Sequence, residues 1–244
     1  MTFRWTRVRA IVVKELRDYR RNRFILGTMG VLPLLFIILP LIQLFDARGD
    51  LDSTRLNLHV GLSMLYMLLI PAFLPSTLSA YSVVGEREQG TLEPVLTTPI
   101  RRKEFLVGKA LAAFGPTVGL AYAVFGVFLA AAALFAHPAI ASAIYSGTHV
   151  LVQVLFIPLV AGWGIWVGIA VSARSTDVRA AQQLSVLGCV PLMAVLALMS
   201  LNVITVSVGL AVGFAAALLA IDLLAWRAVA AMLDRERLIT GSRT

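Results

Sequence analysis

Charged residues are scarce in this 244-residue chain, and most of its length contains none. Asp, Glu, Lys and Arg make up 14% of the residues, whereas hydrophobic residues make up 59%. A soluble domain carries about 25% charged residues. Four intervals hold no residue of these four types: 24–45, 56–85, 110–173 and 180–221. This distribution excludes an ordinary soluble domain and indicates an integral membrane protein.

Cysteine and histidine are also rare. Cys189 is the single cysteine, so the chain can form no internal disulfide, and His59, His137 and His149 are widely separated. His137 and His149 could meet in one outer loop, where solvated side chains are the expected state. The spacing matches no metal-ligand cluster. We therefore expect no metal site, and we assign no catalytic residue.

The charge-free intervals predict six membrane-spanning helices. They contain 22, 30, 64 and 42 residues. One span needs about 20 apolar residues, so the longer two intervals must each hold two spans. A loop from residue 136 to 149 and a tight hairpin at residues 200–202 supply the two reversals. The predicted helices cover residues 24–44, 57–84, 105–135, 149–172, 180–200 and 203–225. The expected fold is an all-α integral membrane protein with one domain, residues 1–244.

The distribution of positive charge predicts the orientation of the chain. Nineteen of the 21 Lys and Arg residues lie in the N-terminal tail, the loops after the second and fourth spans, and the C-terminal tail. The other two, Arg48 and Arg55, follow the first span. Because positive residues stay in the cytoplasm during insertion, we expect both termini to be cytoplasmic. The expected location of the chain is the inner membrane of a bacterial or archaeal cell. The net charge of +8 then reflects topology and contact with anionic lipids rather than nucleic-acid binding.

The segment before the first span, residues 1–23, predicts an amphipathic helix. Its apolar residues recur every three or four positions and form one stripe, and basic residues cluster on the opposite face. The stripe consists of Trp5, Val8, Val12, Leu16 and Tyr19. We expect this helix to lie along the inner membrane surface. The alternative is a plain basic tail that only sets the orientation.

Two features inside the spans bear on helix packing and on buried charge. G-x-x-x-G pairs, which allow close helix approach, are found at Gly115/Gly119, Gly164/Gly168 and Gly209/Gly213. Asp222 is the carboxylate expected within a span, where charge is costly. It precedes Arg227 by five residues near the inner end of its helix, so we expect it to reach water or to pair with Arg227 rather than to relay protons.

The cytoplasmic loop between the second and third spans, residues 86–104, is predicted to contain a short helix. Gly90 can end the preceding helix, Thr91 can cap a new one, and Pro99 can end it. The residues that would share its apolar face are Leu92, Val95 and Leu96. A short helix with an apolar ridge and flanking charges favours docking to another protein. The alternative is an ordinary loop folded against its own helices.

The same region closely resembles the signature of the ABC-2 family of ATP-binding-cassette transporter permeases. The resemblance lies in the run G-E-R-E-Q-G-T-L-E-P-V-L-T-T-P-I-R-R-K-E-F-L-V-G-K, residues 85–109, which follows the second of six spans as it does in that family. A K-E-L run at residues 14–16 also fits, whereas Arg101 departs from the family pattern. The matching positions are Glu86, Glu88, Gly90, Thr91, Leu92, Glu93, Thr98, Pro99, Gly108 and Lys109.

The resemblance implies a coupling helix that binds in a cleft of an ATP-binding subunit. It assigns this contact to Glu86, Glu88, Gly90, Thr91, Leu92, Glu93, Val95, Leu96 and Pro99. The chain has no P-loop sequence, so we expect no cofactor here, and ATP and Mg²⁺ would be bound by a separate ATPase subunit present in two copies. Six spans are half of the usual twelve, so a second permease subunit, identical or related, is expected.

The expected function is ATP-driven export of a hydrophobic or amphipathic substrate. The resemblance suggests that spans two and five line the path, which here offers adaptable apolar and methionine side chains. The path residues would be Tyr66, Met67, Phe73, Ser76, Thr77, Met193, Leu196 and Met199. One alternative is a membrane subunit of an ABC complex that supports maturation of an extracytoplasmic enzyme, and another is a secondary carrier.

Overall fold

The computed structural model describes residues 3–46, 53–88, 90, 100–201 and 207–232, and these residues form eight helices. The helices are α1 (Trp5–Arg21), α2 (Arg23–Asp46), α3 (Ser53–Glu88), α4 (Arg102–Phe135), α5 (Pro138–Ile144), α6 (Gly147–Arg174), α7 (Val178–Ser200) and α8 (Val208–Met232). All except α1 and α5 are long and apolar enough to cross a membrane. The prediction of an all-α membrane protein with six spans is therefore confirmed.

The connection between α4 and α6 differs from the prediction. Residues 136–149 were expected to form a loop, but the structure places the short helix α5 there. From the sequence alone, Pro138 indicates a break in the apolar run. A proline in the first helical turn loses no hydrogen bond, however, and the N-cap residue His137 accepts a hydrogen bond at Nδ1 from the backbone N–H of Ala139. Pro138 thus begins a helix.

The last span is also displaced from its predicted position. Helix α8 begins at Val208 and continues to Met232, whereas residues 203–225 were expected. Helix α7 ends at Ser200 as predicted, but Asn202 of the expected hairpin lies outside the described residues. The helix runs past Asp222 and Arg227, because charged residues near the end of a span do not interrupt helical hydrogen bonding.

Helix α3 lies at the centre of the bundle. It packs against α2, α4, α5, α6 and α7. The most apolar part of α3 is 61% buried, whereas the corresponding parts of α2 and α8 are each only 22% buried. The outer helices expose large apolar side chains such as Leu34 and Leu224, which suits a surface in contact with lipid. Motions of α3 must therefore involve most of the bundle.

One of the three glycine pairs packs two spans closely together. A Cβ at Gly164 would lie 2.8 Å from the carbonyl oxygen of Ala72, and a Cβ at Gly168 would lie 2.7 Å from that of Ser76. Glycine therefore permits the close contact between α6 and α3. By contrast, a Cβ at Gly115 would meet nothing within 4 Å. Gly119 and Gly213 are equally open, and Gly209 would touch only the side chain of Ser207 at 4.0 Å, so these two pairs do not pack helices together within the described chain.

Candidate functional site

The predicted N-terminal helix exists as α1, but its buried face differs from the predicted stripe. Val8, Ile11, Glu15 and Tyr19 are buried, whereas Trp5 is 66% exposed. This face packs mainly on α4 and also contacts α2. A glutamate therefore lies on the inner face of an amphipathic helix. The charge of Glu15 must be compensated within the protein, because an unpaired buried carboxylate is very costly.

The close approach of α1 to α4 depends on Gly108. A Cβ at this position would lie 2.6 Å from Cγ2 and 2.7 Å from Cβ of Ile11. Any larger residue would therefore push α1 away. The next residue, Lys109, then reaches the acidic side of α1. Gly108 thus has a steric role, and Lys109 has an electrostatic role.

Lys109 is the centre of a buried ionic network that joins three helices. Its side chain is 1% exposed, and its Nζ lies 2.9 Å from Oε1 of Glu15 on α1 and 3.2 Å from Oε1 of Glu86 on α3. Nζ also donates a hydrogen bond of 2.7 Å to the backbone carbonyl of Ser82 and lies 4.9 Å from the ring centroid of Phe105. The carboxylate of Glu15 and the carbonyl of Ser82 thus accept hydrogen bonds from the ammonium group, and Glu86 adds a second ion pair.

Lys14 completes the network at its solvent side. Its Nζ lies 3.3 Å from Oε1 of Glu15, also binds Oε1 of Glu86, and is 3.6 Å from Asp18. The side chain of Lys14 is 42% exposed, whereas those of Glu15 and Glu86 are 6% and 8% exposed. Two lysines and two buried glutamates therefore balance one another in charge. We call Lys14, Glu15, Glu86 and Lys109 the inner ionic network.

The inner ionic network changes the ionisation of its members on α1. Burial alone would raise the pKa of Glu15, but Lys109 and Lys14 stabilise the carboxylate and hold its pKa below the ordinary value. For Lys14, burial opposes the charge, yet Glu15 and Glu86 raise its pKa above the ordinary value. Both shifts favour the charged forms. Glu15 and Lys14 are thus both charged at neutral pH.

A cleft of about 520 Å³ lies beside the network, and Tyr19 lines it together with Lys14, Glu15 and Glu86. Tyr19 is 4% exposed, and within the described part of the chain its hydroxyl has no hydrogen-bond partner. Burial raises the pKa of Tyr19 well above its ordinary value, and the nearby carboxylates Glu15 and Glu86 add to this effect. The phenol therefore stays protonated in this cleft and is available as a hydrogen-bond donor.

A second contact ties the start of α4 to the chain before α1. The side chain of Glu104 is fully buried, and its carboxylate accepts hydrogen bonds from the backbone N–H of Arg4 at 2.8 Å and of Arg101 at 3.0 Å. The guanidinium of Arg7 donates to the same carboxylate at 3.3 Å. A carboxylate at this end of a helix also suits the helix dipole. Arg101, which departs from the family pattern, thus contributes its backbone N–H to this contact.

The end of α3 is fixed to the connection between α6 and α7. Arg87 donates a hydrogen bond of 2.9 Å to the carbonyl oxygen of Ser175. Glu88 accepts a hydrogen bond of 3.1 Å from the backbone N–H of Val178, the first residue of α7. The adjacent residues Arg87 and Glu88 thus satisfy the end of one helix and the start of the next.

The predicted end of α3 at Gly90 is confirmed by the backbone. Helix α3 ends at Glu88, and Gly90 has a φ of 65°, a conformation that glycine adopts without strain. Its N–H donates to the carbonyl of Arg87 at 3.1 Å. The remaining residues assigned to the coupling helix lie outside the described residues; they are Thr91, Leu92, Glu93, Val95, Leu96 and Pro99.

The residues expected to line a substrate path lie on α3 and α7, and these helices pack directly against each other. Five of the side chains are buried: Met67, Ser76, Met193, Leu196 and Met199. Tyr66, Phe73 and Thr77 are half-buried. Leu196 and Met199 line a small cavity of about 80 Å³ between α3, α6 and α7. The structure thus brings two of the eight residues to a common cavity, and the path stays a prediction.

The pairing partners of the signature residues could not be predicted from the sequence. Glu86 and Lys109 match the family signature and Glu15 lies in the K-E-L run, but the sequence does not show that these residues pair with one another. Glu104 has no predicted role, although that residue is fully buried. The available signal was that Glu15 falls on the same helical face as Val8 and Tyr19, where a charge needs a partner.

Six long apolar helices, one of them central, with buried ion pairs at one end, define a multi-pass helical membrane protein. Its sequence matches the profile of the family described as ABC-2 family transporter protein over residues 9–229. The match covers most of the chain, so the protein belongs to the ABC-2 transporter family. Members of this family are membrane components of ABC transporters, which implies a transporter system with an ATPase partner. No curated protein shows a significant match to the chain.

Proposed function

We propose that this chain is the permease subunit of an ATP-driven exporter and that residues 91–99 dock it to a separate ATPase subunit. The observation that carries this proposal is the inner ionic network. It joins α1 to the last turn of α3 and the first turns of α4, so it ties together the two helices that flank the proposed docking segment. A force applied to that segment would therefore reach three helices at once.

ATP hydrolysis is assigned to the ATPase subunit, because this chain contains no P-loop sequence. In the proposed assembly, two ATPase subunits bind ATP and Mg²⁺, and two permease subunits, identical or related, form the membrane part. Closure of the ATPase subunits moves the docking segment. Glu86 and Lys109 pass this displacement to α3 and α4, because a packed helix responds as a unit.

The proposed cargo is hydrophobic or amphipathic and moves outward. The support is the composition of the proposed path, in which Tyr66, Phe73 and several methionines offer adaptable apolar contacts and no side chain of fixed charge. Stimulation of the ATPase by lipids or lipophilic compounds in the reconstituted complex is the expected result. Stimulation by polar sugars or metal ions alone would contradict this assignment.

Docking is tested by replacing Leu92 with Asp. We expect Leu92→Asp to abolish co-purification of the co-expressed ATPase, because an unpaired charge at a buried interface costs several kcal/mol, about 3–5. The conservative Leu92→Met variant is the matched control and should retain the partner. Full ATP-driven transport by Leu92→Asp would show that this segment is not the docking site.

The proposed topology places both termini and residues 86–109 in the cytoplasm, and residues 46–56 and 136–148 outside. Single cysteines at Leu92 and at the exposed Ser142, in a Cys189→Ser background, test this with a membrane-impermeant thiol reagent. The thiol of Cys189 is buried and lies 3.5 Å from the carbonyl of Ala72, so the smaller serine removes the native thiol without adding bulk to this contact. In intact cells only the cysteine at position 142 should react. Labelling at position 92 from outside would show that the chain has the opposite orientation.

A further inference from the structure

A groove of about 550 Å³ between α4, α6 and α8 contains one carboxylate. Asp222 lies in it and is only 8% exposed. Among the described residues, Asp222 makes neither a hydrogen bond nor an ion pair, and its Oδ1 atom is fully buried. The expected pairing of Asp222 with Arg227 is therefore wrong, because residues five positions apart on a helix point in different directions.

The space for this carboxylate is created by a glycine on the neighbouring helix. A Cβ at Gly162 of α6 would lie 2.7 Å from Oδ2 of Asp222. Any other residue there would displace the carboxylate. The glycine thus lets an acidic side chain face the groove at a position where α6 and α8 meet.

Two tryptophans line the same groove as this carboxylate. Trp226 follows Asp222 by four residues, and Trp166 follows Gly162 by four, so each lies on the same face as its neighbour. Their rings are 5.5 Å apart at an interplanar angle of 70°, and both line the groove. A carboxylate beside two indole rings is a favourable environment for an organic cation, which gains from both ion pairing and cation–π attraction.

The groove opens towards the outer surface of the helical bundle. Leu111, Leu219 and Leu223 line it and are 41%, 49% and 61% exposed. Since these residues belong to membrane-spanning helices, the opening lies beside lipid, and a lipophilic ligand suits it. Phe114 and Pro158 supply further apolar walls for such a ligand.

We propose that this groove binds a lipophilic cation, with its charged centre between Asp222 and the two tryptophans and its hydrocarbon along the apolar walls. A net positive charge fits better than a zwitterionic phospholipid. The groove is lined by no Lys, Arg or His within the described chain, so a phosphate would be unpaired and would lie beside a carboxylate. This site is separate from the proposed path between α3 and α7, and binding to it does not require ATP-driven transport.

Binding of radiolabelled tetraphenylphosphonium to the purified full chain in phosphatidylcholine nanodiscs tests the proposal without an ATPase. We expect saturable binding of one cation per chain and no competition by tetraphenylsilane, which has the same shape and no charge. Asp222→Asn should weaken binding at least tenfold, and Trp226→Leu should weaken it several-fold. Asp18→Asn removes an exposed carboxylate and is the matched control, with unchanged affinity expected.

Three results would overturn the proposal, and a fourth would assign the groove to a different ligand. The three are the absence of saturable binding, equal competition by tetraphenylsilane, and an Asp222→Asn variant that folds and binds with unchanged affinity. The competition measurement uses the wild-type chain, so it decides the charge preference even if a variant does not fold. Native mass spectrometry tests whether the groove binds a phospholipid. A phospholipid retained by the wild type and lost in Asp222→Asn would assign the groove to a lipid instead.

Discussion

Replacing Lys109 with methionine tests the inner ionic network most directly. Its ammonium lies 2.9 Å and 3.2 Å from two buried carboxylates. At an effective dielectric constant of about 20, each attraction amounts to about 5 kcal/mol before desolvation is subtracted. Lys109→Met would leave Glu15 and Glu86 opposed by Lys14 alone. Removing one partner of a buried ion pair costs about 3–5 kcal/mol, because the other charge is left buried.

The assay is the midpoint of heat-induced loss of monodisperse protein in detergent. For a chain of this size the expected decrease is on the order of 10 °C. Lys103→Met is the matched control, since Lys103 is exposed at the start of the same helix, and it should shift the midpoint little. Adding Glu15→Gln to Lys109→Met restores the balance of charge and should recover part of the loss. Equal midpoints for Lys109→Met and Lys103→Met would refute the electrostatic argument.

Two further predictions concern packing and pH. Gly168→Ala should destabilise the protein by about 1–3 kcal/mol, because its Cβ would meet the backbone of Ser76. Gly115→Ala is the control, since a Cβ there has open space and should not destabilise the protein. Equal thermal midpoints for the two variants would contradict the close contact of α6 and α3. The lowered pKa of Glu15 contributes stability that is complete above its ordinary value of 4.5 and is lost as the pH falls through the lower pKa of the folded state. The difference in thermal midpoint between wild type and Glu15→Gln should therefore be constant around neutral pH and shrink in acid. A difference that grows in acid would show that the pKa of Glu15 is raised instead.

The number and positions of the spans were predictable because charge is excluded from the membrane core. The charge-free intervals therefore located all six helices. The exact first and last residues of the helices were harder to predict. Pro138 was compatible with both a loop and a helix start, and only its position after the capping residue His137 decides between them. Likewise, Arg227 suggested the end of a span, yet α8 continues for five more residues.

The residues of the candidate site were partly predictable, but their contacts were not. Glu86 and Lys109 were identified by resemblance to a family signature. Their joint partnership with α1 links residues 72 and 94 positions apart, and no periodicity within one segment reports such a pairing. The absence of a partner for Asp222 among the described residues could not be predicted either, for a related reason. It depends on the helix direction and on Gly162 of a different helix.

The long sequence separation within the inner ionic network has a consequence for biosynthesis. Glu15 leaves the ribosome 94 residues before Lys109, which at about 5–20 residues per second corresponds to a delay of roughly 5–20 s. During this interval α1 cannot bury its glutamate, so it must stay in contact with water while the first spans are inserted. Its docking becomes favourable only after the third span has entered the membrane. Helix α1 can therefore reach its final position only after the third span has been synthesised, although it is the first of the described helices.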